Sequence, residues 1–389
     1  MDSNIIKRLF TKKTVLVIGI FSPRKNTGIS NNFEVLINGL KARNISFSTV
    51  KIPSRSKGSI GSFHVSHSIK VIRSILQCWI RMLTCRNICH QVAFSKFGFL
   101  RDLLIILPAA LLREKIFVRV HSGGYGIFYA NQSSLMKLLI RLTLKRTHRI
   151  IVLGENLRQQ FDFDKKLFDK TIVVPNGIDV PGKPEKILPK TYKETEIFRI
   201  LYLSNLIESK GYLDVLKACQ LLKMNGENDF FCDFCGDFIS IADERDPQTL
   251  IERETRFSEL IKEWNLSDQV AYHGSVVGQK KVEFFEKAHA FILPTNYLWE
   301  GQPLSIIEAL SFGVPVITTP YRAIPDQVID EYNGLLVNYR RPEEIRTAII
   351  RMKSGGEFYK SLSRNALKRY SEKFTQEKHL DLLIPLITQ

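Results

Sequence analysis

The sequence predicts an α/β protein made of two open, doubly wound parallel sheets, one in each half of the chain. Three observations predict it. At 389 residues the chain exceeds one typical core, so two domains are expected. Short β-branched apolar runs alternate with helix-length amphipathic segments in both halves, the pattern of buried parallel strands joined by crossover helices. Between the halves, residues 180–196 are rich in Pro, Lys and Glu, the composition of a linker.

Thr14–Ile20 (TVLVIGI) reads as a central parallel strand, followed by a loop over Phe21–Ser30, a helix near Asn32–Arg43 and a strand over Ser46–Lys51. Residues 52–66 have few apolar positions and read as a loop. Ile69–Met82 has helical spacing, with Trp79 among its apolar residues. Lys115–Val120 is the next strand, leading into His121–Ser122–Gly123–Gly124; Ser134–Arg146 is a basic helix, and His148–Leu153 and Thr171–Val174 are strands. In the second half, strands are expected at Phe198–Leu203, Phe230–Cys235, Val270–His273, Ala288–Leu293, Val314–Thr318 and Gly334–Val337, with a final helix over Arg364–Leu383. No sequence repeat or low-complexity segment interrupts this order.

Charge is distributed unevenly. Residues 1–180 carry 29 Lys and Arg against 9 Asp and Glu, while the remainder is slightly acidic. The basic half points to an anionic partner: a membrane surface or an acidic glycan. Nucleic acid is not expected, because no recognised binding motif accompanies the charge. Six cysteines in so long a chain do not form a disulfide framework, and a reducing, cytoplasmic setting is expected. Cys232-Asp-Phe-Cys235 lies inside a predicted buried strand with no second ligand pair, so no metal site is expected. Met1–Lys13 lacks the apolar core of a secretory signal, and the apolar stretch Leu103–Leu112, which contains Pro108, is too short to span a bilayer.

The most informative segment runs from Pro294 to Ile317. A buried strand ends at Pro294, a loop carries Glu300, and Pro303 stands at the expected first position of a helix that contains Glu308 and stops at Gly313. Free amides at a helix N-terminus suit a diphosphate, and carboxylates beside and within the helix accept hydrogen bonds from the hydroxyls of a sugar and a ribose. Together these describe a nucleotide-sugar. The set Glu300, Gly301, Pro303, Leu304, Glu308, Ala309, Gly313 and Pro315 resembles the Glu-x7-Glu signature of retaining GT-B glycosyltransferases of family 4.

That resemblance implies two Rossmann-like domains facing across a cleft: an acceptor-binding domain over 1–180, a donor-binding domain over 181–370, and a C-terminal helix over 371–389 that crosses back to the first domain. It also implies site residues. Glu300, His121 and Lys210 are the expected catalytic residues. Glu308, Asn205, Gly301, Gln302, Pro303, Leu304, Ser305 and Gly28 are expected to bind the donor. Lys210 matches the lysine of the family's diphosphate clamp, whereas Asn205 stands where an arginine is usual; Arg24 and Lys25 are possible substitutes. Gly28 falls in the loop facing the diphosphate, and Gly236–Asp237 and Gly274–Ser275 close strands where the base would lie. No G-x-G-x-x-G or Walker pattern is present, and the absence of an Asp-x-Asp in a suitable loop supports a donor bound without metal or other cofactor, as the resemblance implies. The implied activity is a hexosyl transfer from a UDP- or GDP-sugar to a saccharide or lipid-linked saccharide acceptor, in cell-surface polysaccharide, O-antigen or lipopolysaccharide synthesis. The implied setting is the inner face of the cytoplasmic membrane. Asn205 keeps open the alternative of a non-catalytic glycan- or membrane-binding protein.

Overall fold

A computed structural model describes residues 13–21, 28–53, 65–180, 182–184, 186–193, 195–239 and 249–389. Two compact units result: Met1–Asn176 with Gln376–Gln389, and Gly177–Thr375. The expected divisions were 180/181 and 370/371.

In the first unit, β1 (Lys13–Phe21), β2 (Phe47–Pro53), β3 (Cys85–Gln91), β4 (Lys115–Arg119), β5 (Arg149–Val152) and β6 (Thr171–Val173) form one sheet in the order β2-β1-β3-β4-β5-β6. Every pairing is parallel, so each connection must cross over the sheet, and right-handed crossovers divide the helices between its faces. The helix α1 (Gly28–Ala42) packs with α14 (Gln376–Thr388) over one face, where Val15, Val17, Phe33, Leu36, Leu383 and Ile384 share a core. On the opposite face α2 (Val65–Met82), α3 (Lys96–Leu111) and α5 (Ser134–Lys145) lie side by side; the short α4 (Tyr125–Ala130) follows β4.

The strand β3 was not expected from sequence. Its residues Asn87, His90 and Gln91 are buried, which hides it from any apolar count. Distant partners take up Asn87 and one side of His90: Asn87 Nδ2 donates to the carbonyls of Ile387 and Gln389 at 2.9 and 3.0 Å, and His90 Nε2 meets Asp102 Oδ1 at 2.9 Å.

The second unit repeats the plan. Strands β7 (Phe198–Leu203), β8 (Phe230–Cys235), β9 (Val270–Tyr272), β10 (Ala290–Leu293), β11 (Val316–Thr318) and β12 (Gly334–Leu336) pair in parallel in the order β12-β11-β10-β7-β8-β9. Two expectations change here. Residues 182–193 do not run as a free linker: the Lys190 amide donates to Ser363 Oγ at 2.7 Å, and Ile187 and Tyr192 pack on the unit's core. The single predicted C-terminal helix is two, α13 (Gly356–Lys373) and α14, separated at Phe374–Thr375. Buried Phe374 anchors the break, with its carbonyl accepting from the Ile178 amide at 3.0 Å.

Candidate functional site

In the second unit the predicted donor residues gather at the carboxyl ends of β7 and β10, the edge on which open α/β sheets bind ligands. After β7 the chain makes a 3₁₀ turn at Glu208–Lys210 and enters α7 (Tyr212–Met224) through Gly211. Gly211 has φ 76°, and a Cβ there would lie 2.6 Å from the Pro294 carbonyl oxygen. Only glycine allows the two loops to close so tightly. The Asn296 amide also donates to the Ser209 carbonyl at 2.7 Å.

This closure places Lys210 Nζ 3.3 Å from Glu300 Oε2 and 5.2 Å from the centre of the Tyr297 ring. Glu300 is buried and accepts from Thr295 Oγ1 at 3.3 Å, while its amide donates to the Tyr297 carbonyl. Thr295 is fixed in turn: its carbonyl accepts from Thr319 Oγ1 at 2.5 Å. The α10 helix (Leu304–Ser311) begins one residue later than expected, so Pro303 caps it from outside and gives its first amides no side-chain hydrogen bond. The Gly301 carbonyl accepts from the Ala323 amide at 3.4 Å and the Pro303 carbonyl from Gln327 Nε2 at 2.9 Å. Gly301, Gln302 and Pro303 are buried, with Leu304 and Ser305 partly exposed. A lysine, a helix start with open amides and a seated carboxylate thus stand on one sheet edge.

Glu308 projects from α10 and pairs with Lys281 of α9 (Gly278–Lys287), Nζ to Oε1 2.6 Å. Sequence reasoning missed Lys281, and also Thr295 and Tyr297, since none stands at a recognisable spacing from its partner. Asn205 is exposed; its carbonyl accepts from the Ile207 amide at 3.0 Å, and its side chain makes no hydrogen bond among the described residues. Arg24 and Lys25 lie outside the described residues. Gly236 has φ 145°, and a Cβ there would stand 1.8 Å from the Ser204 carbonyl oxygen; its amide donates to Gly274 at 2.7 Å. Those two glycines bring the ends of β8 and β9 together beside β7. The six cysteines are all buried and free, and no cluster of His, Cys, Asp or Glu suited to a metal occurs among the described residues.

In the first unit Gly28 opens α1 rather than lying in the preceding loop. His121 follows β4 in a segment shaped by Ser122 Oγ, which accepts from the Gly124 amide at 3.1 Å, and by Gln160 Oε1, which accepts from the Tyr125 amide at 2.8 Å. Both His121 ring nitrogens are buried without a hydrogen-bond partner among the described residues. Burial first, then the nearby Arg119 and His379, push its pKa well below the ordinary 6.5. His121 is therefore neutral at physiological pH, able to donate from one nitrogen and accept at the other. His379 is held by the Pro175 carbonyl at 2.6 Å and pushed down to about 4, chiefly by burial.

Residues 184–369 match the family model described as glycosyl transferases group 1. The chain is 28% identical over 317 residues to the uncharacterized glycosyltransferase MJ1069 of Methanocaldococcus jannaschii, covering 78% of this chain and 76% of that one. It is 24% identical over 317 residues to the amylovoran biosynthesis glycosyltransferase AmsK of Erwinia amylovora, covering 77% and 70%. Its fold resembles that of Anabaena Alr3699/HepE, solved in complex with UDP and glucose, with TM-score 0.68, 13% identity and coverage of 97% and 100%. The predicted GT-B class is the fold observed.

Proposed function

We propose, from the premise that residues 184–369 are a group 1 glycosyl transferase segment in a GT-B fold, that the chain moves a hexosyl group from a nucleotide-diphosphate sugar to a saccharide or lipid-linked saccharide. The observation that carries this reading is the Lys210–Glu300 pair beside the open amides of α10. An ammonium and unshared amide hydrogens are the groups needed to stabilise a diphosphate as its bond to the sugar breaks. A diphosphate that draws Lys210 from its salt bridge with Glu300 leaves Glu300 to accept hydrogen bonds from sugar hydroxyls. Glu308 takes the ribose, with Lys281 as the partner displaced. His121, being neutral, is assigned to a sugar hydroxyl rather than to proton abstraction, since a base with so low a pKa is weak.

These groups take the charge role that a divalent ion would otherwise fill, which supports transfer without metal. The Glu-x7-Glu pattern shared with group 1 enzymes supports retention at the anomeric carbon. AmsK serves amylovoran synthesis and HepE was solved with UDP and glucose; these relationships support a UDP-sugar donor and a cell-surface polysaccharide, made at the cytoplasmic face of the membrane. The test is kinetic. Lys210→Ala should lower kcat at least tenfold with a smaller change in KM, and Glu300→Gln should lower turnover more than affinity for bare UDP. Near-normal turnover in Lys210→Ala, or loss of activity with EDTA, would overturn the assignment. No hydrolysis or transfer from any UDP- or GDP-sugar, despite tight nucleotide binding, would favour the non-catalytic reading that Asn205 keeps open.

A further inference from the structure

The face of the first unit covered by α2, α3 and α5 is apolar on the outside. In α2 the exposed residues Ile69, Ile72, Leu76, Trp79 and Ile80 recur at steps of three and four, a helical stripe pointing outward rather than to the core. The same spacing recurs in α3 at Phe97, Leu100, Leu104, Leu107 and Leu111, and in α5 at Leu135, Leu138 and Leu142. These side chains are far from incidental exposure: Ile80 is 68% exposed, Phe97 78% and Leu111 84%. The inner sides of the same helices bury Ile75, Ile105, Ile106 and Ile140. Helix α3 is thus apolar on both sides, a composition found in helices covered all round. The helices are packed neighbours, and Trp79 Nε1 donates to the Leu104 carbonyl at 2.8 Å, joining the first stripe to the second.

Charge identifies what covers this face. The three helices contain eight Lys and Arg and one acid, Asp102. Asp102 is buried, occupied by His90, the Ala93 amide and Arg101. Lys70, Arg73 and Lys96 are exposed around the stripes, while Lys145 is paired with Asp164 at 2.7 Å. A second copy set on the same face would bring two positive surfaces together. An anionic bilayer instead offers hydrocarbon to the stripes and headgroup charge to the basic residues. No helix among the described residues is long and apolar enough to cross a membrane, so the contact is interfacial. We infer that α2, α3 and α5 form a docking face that seats the first unit on an anionic lipid surface. This adds a partner to the transferase reading, but its readout needs no sugar transfer, so either can fail alone.

The experiment is flotation of the full chain with phosphatidylcholine vesicles, with and without phosphatidylglycerol. The wild type should bind the anionic vesicles only, and more weakly as salt is raised. The triple variant Ile80→Glu, Phe97→Glu, Leu138→Glu should lose at least about tenfold in partitioning, because three exposed apolar side chains no longer enter the interface. Lys70→Glu with Arg73→Glu should lose a similar factor, at about fivefold per basic residue. Ile251→Glu, equally exposed on the second unit, should bind as the wild type does. Phe97→Glu alone, at a surface position, should show a smaller loss with an unchanged melting temperature. Binding by the triple variant equal to wild type, or no preference for anionic lipid, overturns the inference. Self-association in lipid-free solution that the same triple variant abolishes would assign the face to a second copy instead.

Discussion

Glu300 and Glu308 stand eight residues apart and were both legible in the sequence, but their partners were not. Lys210 reaches Glu300 across 90 residues of chain and Lys281 reaches Glu308 across 27, through sheet topology that no local pattern encodes. The consequence for Glu308 is specific. If it exchanges Lys281 for a ribose, Glu308→Ala should weaken UDP or GDP binding by about 1–3 kcal/mol, the loss of a charged hydrogen bond. Calorimetry decides it, and affinity unchanged within about twofold, a difference below 1 kcal/mol, removes Glu308 from the ribose. Asn205 makes the opposite case. It is exposed and its side chain makes no hydrogen bond among the described residues, so Asn205→Arg should change stability by less than about 0.5 kcal/mol. It should also tighten the nucleotide-sugar complex by adding a cation, seen as a lower KM; a tenfold fall in kcat would show that the loop has been reshaped around asparagine.

Elements were legible where burial and apolarity coincide. Strands β7 and β8 fall where predicted because their buried residues, Asp233 apart, are apolar, aromatic or cysteine. Strand β3 escaped because its inward residues include Asn87 and His90, whose partners come from distant elements. Asn87 therefore makes a testable claim about α14. Asn87→Ala removes hydrogen bonds to the Ile387 carbonyl in that helix and to the Gln389 carbonyl just after it, and should cost about 1–3 kcal/mol, read as a lower urea midpoint with an unchanged m-value. The break between α13 and α14 was missed for a related reason: the pattern of apolar residues continues through it, and the stop is marked by the Phe374 carbonyl's bond to the amide of the distant Ile178. At the other end of the site, Gly211→Ala forces a Cβ against the Pro294 carbonyl. Donor binding should weaken by at least about tenfold, because the loops carrying Lys210 and Glu300 must part. A fluorescence titration with UDP checks it.

For the whole molecule, the histidines set a pH dependence. His379 and His289 are each pushed down to about 4 and His121 well below 6.5, all chiefly by burial. In the unfolded chain these groups take up protons below about 6.5, while the native state excludes them until much lower pH. Their contribution to stability is thus complete above pH 6.5 and is lost progressively as pH falls toward 4; for His379 alone it is roughly 3 kcal/mol. Asp214, pushed up to about 6 by burial, works in the opposite direction and offsets part of this. Urea unfolding at pH 7.5, 6 and 5 should show the decline, and His379→Gln should flatten it. A flat wild-type profile would mean that these rings are solvated in solution.

The first unit is discontinuous in sequence, since α14 supplies Leu380, Leu383, Ile384 and Ile387 to a core otherwise drawn from residues before 176. On the ribosome, this order has a temporal meaning. Residues 177–375 can fold as soon as they emerge, but the sheet that emerged before them waits, with its β1 and α1 face uncovered, until α14 has also been made. The protein is completed in the reverse of the order in which it is translated, and the interval in which that face stays bare is set by the time needed to synthesise the whole second unit.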